Sequence, residues 1–475
     1  MRGMKRRLVL GLCLASLACS PQDQTDVADT AESDSESGAE TGAEQAPPTW
    51  YQDVAPLIHA RCTGCHVEDG IAPFSLTKYE HSAQFADAIV SATESRTMPP
   101  FLAQTTEECE PPHPFEDDPT LSEDELTMLR DWAEAGAPEG DPDAAAPLPE
   151  PPSLELTTRD DRYTIPNSIS VDGTTDKHVC WVVDPELGEG LLGYHFLKGI
   201  QVNAGNSRIV HHVLVYTATN QPDTGDDGYY TCFGAPSGNI TGLISAWAPG
   251  SVPSIVPEGM GMAVPEDSQL VINVHYHPTG AGEEIDDSTS VDIEWLQSDD
   301  GSPQPPENVA MLLLEGNGSG LMNPPFEIPA GESNHIEEQM VGLGWVFNFL
   351  GTQDPIKIWA VGTHMHYVGT QMLMGRYNPS TGESECLIHT PKWDFNWQRG
   401  YNYAASWDEY PEITPEDRLY MRCHYDNSMG NPYVVEALAE QGLDAPVDVH
   451  LGEDTLDEMC LGIFGVAMPL SSLLP

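Results

Sequence analysis

A small all-α domain followed by two tandem all-β sandwich domains is the architecture that this 475-residue chain predicts. Three observations carry that expectation. Helix-period patterning is confined to residues 49–140, where LSEDELTMLRDWAEAGAPEG, from Leu121, reads as a closing amphipathic helix. Beyond a Pro-rich linker at 141–159, roughly 270 residues alternate apolar and polar positions in short runs bounded by Gly, Pro, Asn and Asp, as antiparallel sandwiches do. A second break, SDDGSPQPPEN from Ser298 to Asn308, divides that stretch into halves at 160–300 and 306–472.

At the N-terminus Arg2, Lys5, Arg6 and Arg7 precede an apolar run from Leu8 to Ala18, too short to span a bilayer as a mature helix. Residues 1–19 read as an export signal. SLAC resembles a bacterial lipoprotein cleavage box, with Ser16 where that box usually has Leu. The resemblance implies lipidation at Cys19, hence a periplasmic or outer-membrane-anchored lipoprotein touching the membrane only there; plain secretion is the alternative. Residues 20–48 hold Ser, Glu, Asp, Ala, Thr and Pro without one Lys, Arg or aromatic, so they cannot bury enough surface to offset ordering and read as a flexible acidic tether.

Lys+Arg of 19 against Asp+Glu of 75 gives a net charge of −56. Such a surface repels a polyphosphate, so nucleic acid is excluded as a partner. A small-molecule substrate and an electron donor fit better, and a monomer is expected.

Order begins at TWYQDVAPLIHARCTGCHVEDG. Cys62-x-x-Cys65-His66 is the haem c attachment pattern: two thiols for the porphyrin vinyl groups and an adjacent imidazole for iron. An apolar helix-like run, Val54 to Ala60, precedes it, and Met98 in RTMPPF follows at a distance suited to a sixth ligand. Ser122 reads as the N-cap of the closing helix, with Glu125 placed for a capping box and Gly136 as the stop. The block resembles the cytochrome c domains with CxxCH and MPP found in bacterial exported proteins, implying one covalently bound haem at Cys62, Cys65, His66 and Met98. Zinc would find too few ligands at CxxC alone.

Of ten cysteines, Cys13 leaves with the signal, Cys19 is assigned to lipid, and Cys62 and Cys65 to haem. Cys109, Cys180, Cys232, Cys386, Cys423 and Cys460 remain; in an oxidising compartment they make up to three disulfides, whose pairing spacing does not resolve.

The chemistry sits in histidines on strand-like runs. In IKIWAVGTHMHYVGTQMLM, His364 and His366 are two apart, which on a strand points both imidazoles to one face as a metal clamp. His211 and His212 in RIVHHVLVY are adjacent, so they share an ion only if the strand twists or bulges. His275 or His277 in LVINVHYHP would supply the third imidazole, and three His favour copper or zinc. Met459 offers His364 and His366 a thioether, which points toward copper.

VHHVLVY, SAWAPG (with Trp247) followed by INVHYHP, GTHMHYVGTQM and LDEMC, in that order and spacing, resemble the copper type II ascorbate-dependent monooxygenases, the family of dopamine beta-monooxygenase and peptidylglycine alpha-hydroxylating monooxygenase. The likeness spans about residues 160 to 470 and implies two jelly-roll-like sandwiches. It implies an electron-transfer copper at His211, His212 and His275, with His277 not a ligand. The copper that activates O2 would sit at His364, His366 and Met459, and a Cys423–Cys460 disulfide would pin the Met loop. The implied reaction hydroxylates a C–H bond: one oxygen atom enters the substrate, the other leaves as water, and two electrons come from ascorbate or through the fused haem. The peptidylglycine enzymes' substrate-carboxylate residues fall at Gly362, Leu461 and Ile463, which argues against that substrate and toward a neutral or hydrophobic one. The run WDFNWQRGYNY, Trp393 to Tyr403, reads as sandwich core rather than pocket lining. The competing functional classes are a non-catalytic copper and haem electron carrier or copper-binding lipoprotein, and a purely structural β-protein.

Overall fold

A computed structural model describes residues 46–68, 72–150, 155–173, 175–232, 235–280, 282–298, 301–316 and 326–473. The expected export signal, Cys19 and nearly all of the tether lie outside the described residues.

Helices come first. Trp50–Val54 forms one wide π turn that runs into α1 (Ala55–Arg61); α2 (Tyr79–Gln84), α3 (Ala86–Glu94) and α4 (Glu123–Glu134) follow. The capping box expected at α4 is formed: Glu125 N–H donates to Ser122 Oγ at 3.2 Å, and Ser122 N–H donates to Glu125 Oε2 at 2.7 Å. Gly136 follows with φ 82°, the left-handed conformation that glycine adopts without a Cβ clash. Leu126, Leu129 and Trp132, three apart on one face, pack with Trp50, Val54, Leu57 and Ile58 in a core separate from that of the strands.

Strands dominate from residue 161 onward, with few further helices. Those that position the site are β1 (Lys177–Val183), β2 (Tyr194–Asn203), β3 (Val210–Thr219), β4 (Asn239–Trp247), β5 (Met260–Pro265), β6 (Gln269–Tyr276), β7 (Ser290–Trp295) and β8 (Asn308–Gly316). In the later half lie β9 (His335–Gly342), β10 (Ile356–His364), β11 (Gly369–Tyr377), β12 (Ser384–Thr390), β13 (Arg418–Tyr425) and β14 (Leu461–Pro469). Two short helices, Gly344–Leu350 and Pro432–Glu440, interrupt them.

A 15-stranded sheet contains strands from both sides of the second Pro-rich break. Within it β8, β4, β3, β6 and β1 are successive neighbours. The link is β8, which starts where the break ends: it meets β4 at Leu312↔Leu243, runs parallel to β5, and pairs along its whole length with β14, which pairs in turn with β10. β9, β13, β11 and β12 form a 4-stranded sheet. Val213 and Ile272 share one hydrophobic core with Ile358 and Phe464, so the interior is continuous across the break.

Three disulfides join Cys109–Cys386, Cys180–Cys232 and Cys423–Cys460, with Cα separations of 5.4, 5.8 and 6.0 Å. The first spans 277 residues and fastens the segment after α3 to β12. Backbone bonds continue that seam: Gln104 N–H to His389 O and Glu116 N–H to Asn402 O at 2.9 Å, and Ala404 N–H to Pro114 O at 2.8 Å.

Candidate metal centres

His211 and His212 lie on β3 and His275 on β6. Neighbours on a regular strand face opposite ways, and here the ladder breaks where it must: His212 pairs with His275 and Val210 with Tyr276, leaving His211 as the extra residue of a bulge. The bulge sets His211 Nδ1 at 3.2 Å from His212 Nδ1 and 3.1 Å from His275 Nδ1, with 3.3 Å between the last two. A neutral imidazole carries one proton for two nitrogens, so three mutually adjacent Nδ1 atoms cannot all satisfy one another. A cation satisfies all three at once: tetrahedral ligands about 2.0–2.1 Å from a metal stand roughly 3.3 Å apart, the edge length seen here. Burial, then repulsion from neighbouring imidazoles, holds His211 and His212 well below the usual histidine pKa, in the neutral form that a metal takes.

Behind this cup, Asp176 Oδ2 stands 3.6 Å from His275 Nε2, beyond hydrogen-bond distance. The same carboxylate accepts the Thr455 N–H and hydroxyl at 2.9 Å each and the His277 ring at 2.6 Å. His277 also reaches Glu440 at 3.2 Å. Burial opposes its charge, but the bonds to Asp176 and Glu440 lift it to about 9, and a protonated ring has no lone pair to give. The imidazole facing His211 and His212 is thus His275.

β10 ends at His364, and His366 stands two residues on, in the turn before β11. The pair is therefore not the side-by-side strand clamp that the H-x-H spacing suggests; the rings meet at 80° with centroids 5.1 Å apart. Each is held through Nδ1, His364 on Gln398 Oε1 at 2.6 Å and His366 on Asp457 O at 3.0 Å. Both acceptors require a proton on Nδ1, which leaves each Nε2 a lone pair for an ion. Gln398 Nε2 donates to Phe395 O at 2.9 Å, so its oxygen is the atom that meets His364. Burial lowers His364, and burial with the His364 ring beside it holds His366 down to about 3.

Met459 precedes β14. The buried Glu458 carboxylate accepts the His366 N–H at 2.5 Å and the Met459 N–H at 2.7 Å, tying the turn of β10 to the Met459 loop. Tyr425 donates its hydroxyl to Met459 O at 3.0 Å, and Cys460 is locked to Cys423 on β13, the pairing that the family resemblance implies. His212, His364, His366 and Met459 line one cavity of about 230 Å³. The His212 and His364 ring centroids are 6.5 Å apart, so the nitrogen cup and the group containing sulfur open on a shared space. Its walls are apolar, with Trp247, Leu214, Leu314, Leu451, Leu461 and Ile463. Two imidazoles with a thioether suit Cu(I), and three imidazoles suit copper or zinc.

Cys62 and Cys65 are unpaired thiols at the end of α1, and burial pushes Cys62 up to about 12. His66 Nδ1 bonds Phe74 O at 3.0 Å, leaving Nε2 available, and Phe74 stacks on Phe85 at 4.2 Å. Two unbridged thiols beside a tautomer-fixed imidazole and an aromatic wall fit a haem c. Met98 belongs to the same helical segment, in the turn that ends α3, its N–H donating to Ala92 O at 3.1 Å.

Trp393, Phe395, Tyr401 and Tyr403 are buried, in keeping with core, but Gln398, Arg399 and Gly400 of the same run line the cavity. Sequence reasoning did not single out Asp176, Gln398 or Glu458. Asp176 and Gln398 are distant from the histidines in the chain and carry no spacing signal; Glu458 was marked only by its place beside Met459.

No protein-family model matches this chain, and no curated protein matches it. Among solved structures, the broad bean stain virus structure is 8% identical with a TM-score of 0.26, covering 62% of this chain and 76% of that one. The major capsid protein P2 of bacteriophage PM2 is 9% identical with a TM-score of 0.21, covering 65% and 97%. Infectious bursal disease virus VP2 is 7% identical with a TM-score of 0.10, covering 68% and 84%. At these scores the likeness supports no argument about this chain.

Proposed function

We propose that this chain is an exported copper-dependent monooxygenase that hydroxylates a C–H bond of a small substrate with O2. One observation carries the reading: His212 of an all-nitrogen cup and the set His364, His366 and Met459 border the same apolar cavity. In this reading residues 49–140 are a cytochrome c-like domain, the β-rich remainder two jelly-roll-like sandwiches, and residues 1–19 an export signal ending at a lipidated Cys19. Two copper ions and one haem c are the cofactors, with electrons entering through the haem or from ascorbate.

Copper at His364, His366 and Met459 would supply the one-electron chemistry that activates O2. The chain's own groups do the rest. Gln398 and the Asp457 carbonyl hold the two rings in the ligating tautomer, and Glu458 holds the Met459 loop against the turn. Asp176 ties His277 to the Met459 loop through Thr455 and stands 3.6 Å behind His275. Leu214, Leu314, Leu461 and Ile463 give that site a largely apolar surround. Two electrons and two protons accompany each turnover, one oxygen atom going to the substrate and the other to water.

The test is metal analysis with a haem stain on the exported protein, then oxygen uptake. Two coppers and one haem per chain, O2 consumed in step with hydroxylated product, and loss of both in Met459→Ala with the haem spectrum intact are the expected results. Bound copper and redox-active haem without product from any C–H substrate would make the chain an electron carrier instead.

A further inference from the structure

We propose that Phe395, Tyr367 and Tyr433 form an aromatic path that carries oxidising charge away from His366 to the protein surface when no substrate takes it up, with Asp394 receiving the proton. This rests on reading His364, His366 and Met459 as an oxidising copper site. The Phe395 ring centroid lies 6.5 Å from that of His366 and 4.8 Å from that of His211, so one ring meets both imidazole groups. Tyr367 stacks on Phe395 at 4.1 Å with the planes 30° apart, and Tyr433 follows at 6.5 Å. Phe395 is buried and Tyr433 only half-buried, so the rings lead from the imidazoles outward.

Asn431 fixes the spacing of the two phenols. Its Nδ2 donates to Tyr367 O at 3.0 Å and its Oδ1 accepts the Tyr433 N–H at 3.0 Å, so the turn after His366 and the start of the helix Pro432–Glu440 are held together. Tyr433 donates its hydroxyl to Asp394 Oδ1 at 2.6 Å, and Asp394 adjoins Phe395 in the chain. The segment from Trp393 to Gln398 therefore holds His364 through Gln398, meets both imidazole groups through Phe395, and supplies the base for the outermost phenol.

The proton decides where the charge stops. A phenol yields an electron readily only when its proton has somewhere to go, and a phenylalanine has no such proton, so Phe395 passes charge without keeping it. Burial, then the bond to Asp394, raises the Tyr433 pKa, so the hydroxyl proton is in place until the ring is oxidised. Hydrogen peroxide needs two electrons and two protons to become two waters. Reduced copper gives one electron, Tyr433 gives the other by way of Tyr367 and Phe395, and solvent supplies the protons. The Tyr433 O–H bond breaks, its proton passes to Asp394 Oδ1, and a neutral phenoxyl radical is left beside a carboxylic acid. A one-electron reductant of the enediol class, such as ascorbate, returns the electron, and Asp394 returns the proton. Without that outlet the oxidant attacks what is nearest, the Met459 thioether to its sulfoxide and the His366 ring.

The experiment loads the full-length protein with copper, reduces it with ascorbate, removes the excess, adds hydrogen peroxide without substrate, and reads the freeze-quenched sample by electron paramagnetic resonance. The native chain should give a phenoxyl signal, Tyr433→Phe should lose it, and Asp394→Asn should lose it while Asp394→Glu restores part. Met459→Ala, which spares the residues assigned to haem, should lose it as well; a signal that survives there arises at the haem and overturns the proposal. Mass spectrometry should find more Met459 sulfoxide and more oxidised His366 in Tyr433→Phe than in the native chain. Rings with a packing role alone would change stability in these variants and leave spectrum and oxidation pattern unmoved. A native chain without a phenoxyl signal overturns the proposal, as does a signal that survives in Tyr433→Phe or that ring-deuterated tryptophan shows to lie on Trp393. If Asp394→Asn fails to fold, Tyr433→Phe, which removes a single hydroxyl at a half-buried position, decides alone. Copper content of the same samples separates two failures: no copper sinks the oxygenase reading and the path with it, whereas copper without a phenoxyl signal sinks only the path.

Discussion

Replacing Glu458 by alanine should empty one metal group and spare the other. The side chain is fully buried and accepts the N–H groups of His366 at 2.5 Å and Met459 at 2.7 Å. Burial pushes its carboxyl up to about 8 against the pull of those donors, so the neutral acid predominates at neutral pH and its Oε1 still accepts both N–H groups. Removing it orphans two buried donors, each at about 1–3 kcal/mol, for a loss of roughly 2–6 kcal/mol. Guanidinium unfolding followed by fluorescence reads that loss as a lower midpoint at unchanged slope. If both groups hold copper as proposed, the count per chain should fall from two to one, because the Met459 loop is released from the β10 turn while His211, His212 and His275 keep their bulge and pairing. Glu458→Gln, which keeps one acceptor oxygen, should lose less of both. A stability loss under about 1 kcal/mol, or copper lost equally from both groups, would refute the reasoning.

Two further predictions concern stability. Cys423→Ser with Cys460→Ser opens a link between residues 37 apart and should cost about 4 kcal/mol by loop-closure entropy, measured as a shift in the denaturation midpoint, with weaker copper retention beside Met459. Asp292 is buried, which raises its pKa, but a two-point pair with Arg162 at 2.6 Å and a bond from Asn203 at 3.0 Å outweigh that and lower it. Its folded value lies below its unfolded one, so its contribution is complete above the ordinary carboxylate pKa and is lost as pH falls toward the folded value. Asp292→Asn should therefore flatten the acid side of the stability profile and cost about 1–3 kcal/mol at neutral pH; an unchanged acid limb would count against the pair.

Local patterning was readable wherever the signal is short-range. Ser122, Glu125 and Gly136 announce the ends of α4 because capping uses residues three apart and a glycine at the stop. RIVHHVLVYTA and SQLVINVHYH read as strands and became β3 and β6, and two adjacent histidines could serve one ion only through a bulge, which is what the register shows. PVDVHLG, by contrast, yields only the two-residue strand Val449–His450, since the loop toward Met459 is spent on contacts to Asp176 and His366. His366 left the strand because Gly369 N–H turns back onto its carbonyl, a local bond that periodicity does not encode. The groups behind the ligands come from places with no sequence link to them: Asp176 lies just before β1, and Gln398 and Arg399 sit in a run whose aromatics made it look like core alone. The seam around Cys109–Cys386 was equally hidden, because pairing across 277 residues depends on the finished fold.

The ladder from β3 through β4, β8 and β14 to β10 fixes more than shape. His212 stands at one end of that run and His364 at the other, with hydrogen-bonded backbone at every step between. The two imidazole groups are thus joined through paired strands, the narrowest step being the single pair Leu312↔Leu243. Any charge that passes from one imidazole group to the other must cross a gap whose width was settled when the chain folded, and evolution can retune its transfer rate only by changing what fills the gap, not how far it reaches.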